Sequence, residues 1–499
     1  SGGFPYQRTF PTVYRAQVVG VEINAGTGDV IQAGRTTAFS FNVRNLGGTA
    51  AFRINVISSL GFVSGVNPST LSLAGGASGT VQFNLSVPED TPEGTSVAVT
   101  ITATRTDDST VFNSAILNLL VTQTPTLQFN AASYSVAEDA TFVTVSVTRS
   151  GDTSGAATVD YSTDNGTASD RSDFTTATGR LHFAPGQIQQ SFPILITEDS
   201  FVEGTETASI NLSNATGANL GAQSTAVLEI TDDASEPDTN AIDVPDIFVG
   251  QHYHDFLNRQ ADPAGMEFWT KIILDCGGDQ SCIQQKRVNV SAAFFLSIEY
   301  QQTGFFVYRV HKAAFGNIAP PAVPIPVRFD EFLRDTQEVS RDIIVGQGDW
   351  QTQLNNNKDA FALSFTRRAD FQTRYPGITS ATSFVNSLNA NVGGVLTSDE
   401  RIALIRALSV NPADAALRAE VLRKVAENAS VRRLELNRAF VLTQYFGYLR
   451  RDPDAAPDVD FSGYLFWLNK LEAFNGDFVK AEMVKAFITS GEYRQRFGQ

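Results

Sequence analysis

Between residues 134 and 233 the chain alternates apolar and polar residues in short runs, each closed by Gly, Asn, Asp or Ser. A two-residue period puts successive side chains on opposite faces, so these runs read as strands with one dry face and one wet face. Many short strands separated by turns bury their dry faces by packing sheet on sheet, which means an antiparallel β-sandwich. The same pattern fills residues 13–123, in runs such as TTAFSFNVRNL, TVQFNLSVP and SVAVTITATRT, punctuated by NLGG, PEDTPEG and TDDS. After residue 246 the period lengthens to that of helices, and Phe, Arg, Gln and Asn become more frequent. The expected fold class is therefore multidomain: two antiparallel β-sandwiches followed by an all-α helical-repeat domain. The expected boundaries are an extended N-terminal segment at 1–12, sandwiches at 13–123 and 127–234, a linker at 235–246, and helices over 247–499.

Carboxylates are concentrated in the second sandwich. Glu138, Asp139, Asp173, Glu198, Asp199, Glu203, Glu206, Asp232 and Asp233 fall at strand ends or in loops. Alternate loops of a sandwich emerge at the same end, so acids in the first, third and fifth turns and at the terminus can converge. Residues 127–246 hold 18 acidic and three basic residues, a net of −15 in a chain whose total is −16. Such a density repels itself unless cations screen or bind it. Calcium takes roughly six to eight oxygen ligands, which loop carboxylates, backbone carbonyls and water supply. A solvated acidic end is the other reading of the same residues. Nucleic acid is excluded as a partner, because there is no basic stripe and no Lys precedes Lys271.

The motifs VAED, SDF, FAPGQ, ITEDSFVEGTE and ITDD, taken together, resemble the Calx-beta domain known from sodium–calcium exchangers and many bacterial extracellular proteins. The resemblance covers about a fifth of the chain. It implies calcium-site acids at Glu138, Asp173, Asp199, Glu203, Glu206, Asp232 and Asp233. Glu198 stands where an Asp is usual, and Ala234 where many calcium-binding members carry a third Asp. The first unit resembles immunoglobulin-like spacer domains of bacterial surface proteins, but it contains neither Cys nor Trp to pin its core.

The helical part repeats itself. FVGQHYHDFLNRQADPAGMEFW (248–269) parallels FVLTQYFGYLRRDPDAAPDVDFSGYLFW (440–467), so Tyr253, Leu257, Arg259, Asp262 and Trp269 correspond to Tyr445, Leu449, Arg451, Asp454 and Trp467. A closing motif recurs as FFLSIEY, FTRRADF and FITSGEY. About four units are expected, each opening on Phe-Val and ending in an acid–aromatic pair. These motifs resemble a bacterial secreted helical family of unknown function and phycobilisome linker polypeptides, which implies secretion and assembly but no chemistry.

Cys276 and Cys282, in LDCGGDQSC, are the two cysteines of the chain. A pair closing a short Gly-Gly loop reads as a disulfide and an oxidising compartment, with two buried thiols as the alternative. The chain starts at Ser1, which reads as a processed product. No run of 18 apolar residues exists, so no membrane span is expected.

Catalytic patterns are missing. Of the four His, His252 and His254 are two apart on a helix and point in different directions, so polar surface or half-buried roles are expected for both. His182 has no nucleophile motif nearby, and no GxSxG, HExxH, Walker loop or dinucleotide fingerprint occurs. Asp262 and Asp454 read as helix N-caps and Trp269 and Trp467 as core residues. The expected protein is secreted and non-enzymatic: a self-assembling filament or surface-layer subunit with Ca²⁺-stiffened sandwiches. A cell-surface adhesin binding glycan or protein, and an accessory module of an extracellular enzyme, are the alternatives. Phe4, Tyr6, Phe10 and Tyr14 share one face of an extended segment and are expected to engage a second copy of the chain, with folding back onto their own sandwich as the alternative.

Overall fold

The computed structural model describes residues 19–26, 30–232, 239–319 and 323–498. Phe4, Tyr6, Phe10, Tyr14 and Asp233 lie outside the described residues.

The first sandwich comprises β1 (Val21–Asn24), β2 (Val30–Gln32), β3 (Thr36–Asn45), β4 (Ala50–Ser58), β5 (Val63–Asn67), β6 (Thr70–Leu73), β7 (Ser78–Ser86), β8 (Ser96–Arg105) and β9 (Phe112–Thr122). One sheet has the order β1-β3-β7-β5 and the other β2-β9-β8-β4-β6. Alternation does the work: Val97, Val99, Ile101 and Ala103 of β8 are all buried, while the residues between them are partly exposed.

The second sandwich follows almost without a break, as β10 (Thr126–Phe129), β11 (Ser133–Ala137), β12 (Phe142–Ser150), β13 (Ala157–Asn165), β14 (Thr178–Phe183), β15 (Gln189–Leu195), β16 (Thr205–Thr216), β17 (Asn219–Leu220) and β18 (Thr225–Thr231). Its sheets run β15-β12-β10-β17 and β11-β18-β16-β13-β14, around a core that includes Phe129, Val145, Phe174, Ile194 and Leu228. The joint between sandwiches is tight. Gly151 has φ +76°, and a Cβ there would sit 2.5 Å from the carbonyl oxygen of Thr124, so this position requires Gly.

Helices complete the chain: α1 (Pro245–Leu257), α2 (Pro263–Leu274), α3 (Gln280–Leu296), α4 (Ile298–Gln302), α5 (Gly304–Phe315), α6 (Phe329–Ser340), α7 (Trp350–Thr366) and α8 (Ala369–Arg374). They continue as α9 (Ala381–Asn391), α10 (Ser398–Leu408), α11 (Ala415–Ala426), α12 (Ala429–Gln444), α13 (Ser462–Ala473), α14 (Met483–Ile488) and α15 (Gly491–Arg494). One aromatic-rich core unites them. The helical body begins inside the segment expected to be linker, because Ala241 and Ile242 are buried in that core. Among the described residues, no helix is long and apolar enough to cross a membrane.

The repeat has a structural reason. Arg259 makes a bidentate pair with Glu299, at 2.6 and 2.9 Å, and its counterpart Arg451 makes the same pair with Glu492, at 2.6 and 3.0 Å. Each guanidinium lies over the equivalent tyrosine, Tyr253 or Tyr445. The opening Arg and closing Glu thus recur in these two units because they clamp each of the two shut. Trp269 and Trp467 pack against the core, and Asp262 caps α2 by accepting from the N–H of Gly265 at 3.0 Å. Asp454 departs from expectation. It accepts from Arg328 at 2.5 Å and caps no helix, since the chain after it turns irregularly until α13. His252 and His254 also depart, because both are buried: His252 bridges the Phe248 carbonyl and the Ser291 hydroxyl, each at 2.7 Å. His252 packs against Phe294 of α3 and Tyr448 of the 445–449 turn, while His254 is buried on a different side of α1, and periodicity within α1 reveals neither neighbourhood.

Cys276 and Cys282 form a disulfide with Cα atoms 5.6 Å apart. It ties the end of α2 to the first turn of α3, whose N-cap is Asp279.

Candidate metal centre

The expected acids converge at one end of the second sandwich. Glu138 follows β11, Asp173 lies in the β13–β14 loop, Glu198, Asp199 and Glu203 lie in the β15–β16 loop, Glu206 is on β16, and Asp232 follows β18. Carboxylate oxygens of Asp173, Glu203 and Glu206 lie within 4.8 Å of one another. Glu138 accepts from the backbone N–H of Asp199 at 3.1 Å, which joins the two sides of the cluster. Asp232 accepts from the N–H groups of Glu203 and Gly204, at 2.8 and 3.0 Å, and so fixes the turn that presents Glu203.

Three of these groups are withdrawn from water, while Glu203 stays exposed at the rim. Asp199 is fully buried, and Asp173 and Glu138 are 4% and 5% exposed. Among the described residues, none of Glu138, Asp173, Asp199, Glu203 and Glu206 pairs with a Lys or Arg. Arg171, the nearest cation in sequence, turns away to Glu492 at 3.1 Å. Burial, reinforced by the charges of Asp199 and Glu198, pushes the Glu138 carboxyl up to about 9. Burial with Glu203, Asp173 and Glu198 nearby raises Asp199 to about 7. Burial and Asp173 raise Glu206 to about 8, and Glu203 moves up for the same reasons.

Two buried oxygens, Oδ1 of Asp173 and Oδ2 of Asp199, have no hydrogen-bond partner. Orphaned buried acceptors are costly and call for an electropositive partner. An all-oxygen donor set on loops fits a hard cation such as calcium better than a soft metal. A second group with metal-like spacing, His311, Glu331 and Asp335, is already satisfied. Asp335 accepts from His311 at 2.8 Å and from Arg368 at 2.7 and 2.8 Å, so it reads as a buried ion network.

The Calx-beta domain family matches residues 121–234, and the VWA7 Ig-like domain family matches residues 20–123. The second sandwich is a Calx-beta domain. It is 37% identical over 108 residues to the sodium/calcium exchanger Calx of Drosophila melanogaster, covering 21% of this chain and 11% of the exchanger. It is 32% identical over 125 residues to the extracellular matrix organizing protein FRAS1 of Mus musculus, covering 24% of this chain and 3% of that protein. The chain thus spans only a small part of both relatives. Among solved structures, the apo form of the Calx CBD1 domain is 36% identical with a TM-score of 0.22, covering 22% of this chain and 98% of that one.

The Calx-beta domain does not stand alone. Its Asp173 loop is held by the helical body: Arg496 donates to the Arg171 carbonyl at 2.7 Å while forming a buried double pair with Asp255. Gln337 of α6 imitates a strand, accepting from the N–H of Thr178 at 2.8 Å and donating to the Thr176 carbonyl at 2.7 Å. The acids were legible in the sequence because their types and loop positions are. The clamp was not, since Arg171, Gln337 and Arg496 carry no local signal for partners far along the chain.

Proposed function

We propose that this protein is a secreted, non-enzymatic structural component whose Calx-beta domain binds calcium and thereby locks the joint to the helical body. The reading rests on one observation above all: Glu138, Asp173, Asp199, Glu203 and Glu206 converge, the first three buried and none of the five paired with a Lys or Arg among the described residues, on loops that the helical body grips. Calcium would be held by Glu138, Asp173, Asp199, Glu203 and Glu206, with Glu198 and Asp232 at the margin. When bound, calcium supplies positive charge to this carboxylate cluster. The chain's own part is to hold Asp173 through the Arg171 clamp and to aim Glu203 through Asp232. The names of the relatives, a sodium/calcium exchanger and a matrix organizing protein, support the calcium and extracellular parts. The disulfide supports an oxidising compartment.

We further propose assembly into a filament or surface layer, with the N-terminal aromatic segment contacting a second copy. Calorimetric titration of the chelator-treated full chain with calcium tests the central reading. Saturable binding that raises the melting temperature is expected. Absence of both heat and shift removes calcium from the account.

A further inference from the structure

We propose that the cleft between the Calx-beta domain and the helical body binds a neutral oligosaccharide. This goes beyond the calcium reading and does not depend on it. The cleft has a volume of about 910 Å³, at the upper end of the roughly 300–1,000 Å³ usual for ligand sites. It is walled by β12, β14 and β15 on one side and by the α1–α2 turn, the end of α6 and α7 on the other.

Three observations choose the ligand class. The first is an apolar platform. Phe142, 41% exposed, and Pro193, also exposed, line the cleft from β12 and β15, and the stacked rings of Tyr161 and Phe192, 3.8 Å apart, close it at the sandwich edge. Apolar and aromatic faces of this kind suit the C–H face of a pyranose.

The second is a set of oriented acceptors. Gln190 donates through Nε2 to the His182 carbonyl at 3.0 Å, Gln260 to the Thr141 hydroxyl at 2.6 Å, and Gln353 to Asn357 at 2.9 Å. Each amide is thus anchored by its nitrogen, and among the described residues no donor bonds its Oε1. Sugar hydroxyls are donors that such carbonyls accept.

The third is neutrality. Arg259 is committed to Glu299, Arg341 donates to the Arg180 carbonyl, and burial with Arg341 and Arg180 nearby lowers His182, which keeps it neutral. Arg341 makes no ion pair among the described residues, but Asp342 beside it also lines the cleft, so beyond the committed Arg259 the lining carries no net positive charge to clamp an anionic polymer.

An extended peptide adding to the edge of β15 fits less well. The outward positions are Gln189, Ser191, Pro193 and Leu195 by strand alternation. Pro193 has no N–H, and the Leu195 carbonyl already accepts from Thr175 at 2.8 Å.

The test is binding of cellohexaose, xylohexaose and mannohexaose to the calcium-loaded full chain, with hexagalacturonate and an alternating Val-Ser octapeptide as competitors from other classes. At least one neutral hexasaccharide is expected to saturate below about 5 mM. Phe142→Ala and Gln190→Ala should each weaken it by about tenfold, with melting temperature and calcium affinity unchanged, since the Gln190 contact to the His182 carbonyl is exposed. No neutral hexasaccharide binding, binding indifferent to both substitutions, or preference for the uronate or peptide would overturn the proposal. Loss of calcium binding with sugar binding retained would instead defeat the calcium reading.

Discussion

Glu138 and Asp199 are carboxylic acids placed where water is scarce and negative neighbours are close, and both consequences can be measured. Their raised folded-state pKa values, about 9 and about 7, exceed the ordinary carboxyl values of 4.5 and 3.8. Between those limits the metal-free folded chain holds protons that the unfolded chain has released. The contribution of these groups to metal-free stability is therefore fully present below the unfolded pKa and is lost as pH rises through about 7, 8 and 9, with Glu206 supplying the middle step. Calcium requires the ionised forms, so its affinity should rise over the same window with measurable proton release. Melting curves from pH 5 to 9 in chelator, repeated in calcium, check the sign: the two sets should diverge as pH increases. Asp199→Asn should weaken calcium binding by about tenfold or more, because ligand charge sets affinity. The same change should raise metal-free melting by removing a buried repulsion. A calcium titration and a chelator melt of one variant cover both outcomes.

At the scale of elements, two ties illustrate how little local sequence says about cost. The disulfide closes a loop of six residues' separation between α2 and α3. Chain entropy values such a loop at about 2 kcal/mol. Cys276→Ser with Cys282→Ser should lower stability by about that amount, with faster amide exchange confined to the α2–α3 turn. Arg496 is a different case. It is 4% exposed and pairs with Asp255 at 3.0 and 3.1 Å, so Arg496→Met strands a buried carboxylate. A loss of about 3–5 kcal/mol is expected in urea unfolding, and adding Asp255→Leu should recover much of it, since the paired charges themselves contribute little net stability.

For the whole molecule the question is how the Calx-beta end communicates with the helices. The Arg171–Glu492 bridge joins the metal-centre loop to the second copy of the repeat clamp. An ion pair that is this exposed is worth up to about 1 kcal/mol, so Arg171→Ala should weaken calcium binding by up to about fivefold. Small-angle scattering should show the full chain expanding when calcium is chelated and compacting when it is restored. If the radius of gyration ignores calcium that demonstrably binds, the ion stabilises its own domain and not the joint. Removal of residues 1–12 should leave a folded monomer that no longer assembles, as sedimentation would show. Persistent polymerisation would place the intermolecular contact elsewhere.

Period-two alternation was enough to determine both sandwiches, because a strand's burial pattern is written along it and needs no distant partner. Loop acids were likewise legible, since Asp and Glu clustered at turns are visible without coordinates, and so was the Cys276–Cys282 pairing, in which two cysteines face each other across a few residues. The repeated Arg259 and Arg451 and the recurring Glu299 and Glu492 stood out as matching positions, yet their joining into clamps needed the fold. Only the tertiary structure decided that His252 and His254 are buried, that Asp454 answers Arg328, and that Gln337 and Arg496 grip the Calx-beta loops. Each of those facts depends on which surfaces meet after the chain has folded. A local pattern records the face a residue turns inward, but the identity of what meets it there is set by packing between elements hundreds of residues apart.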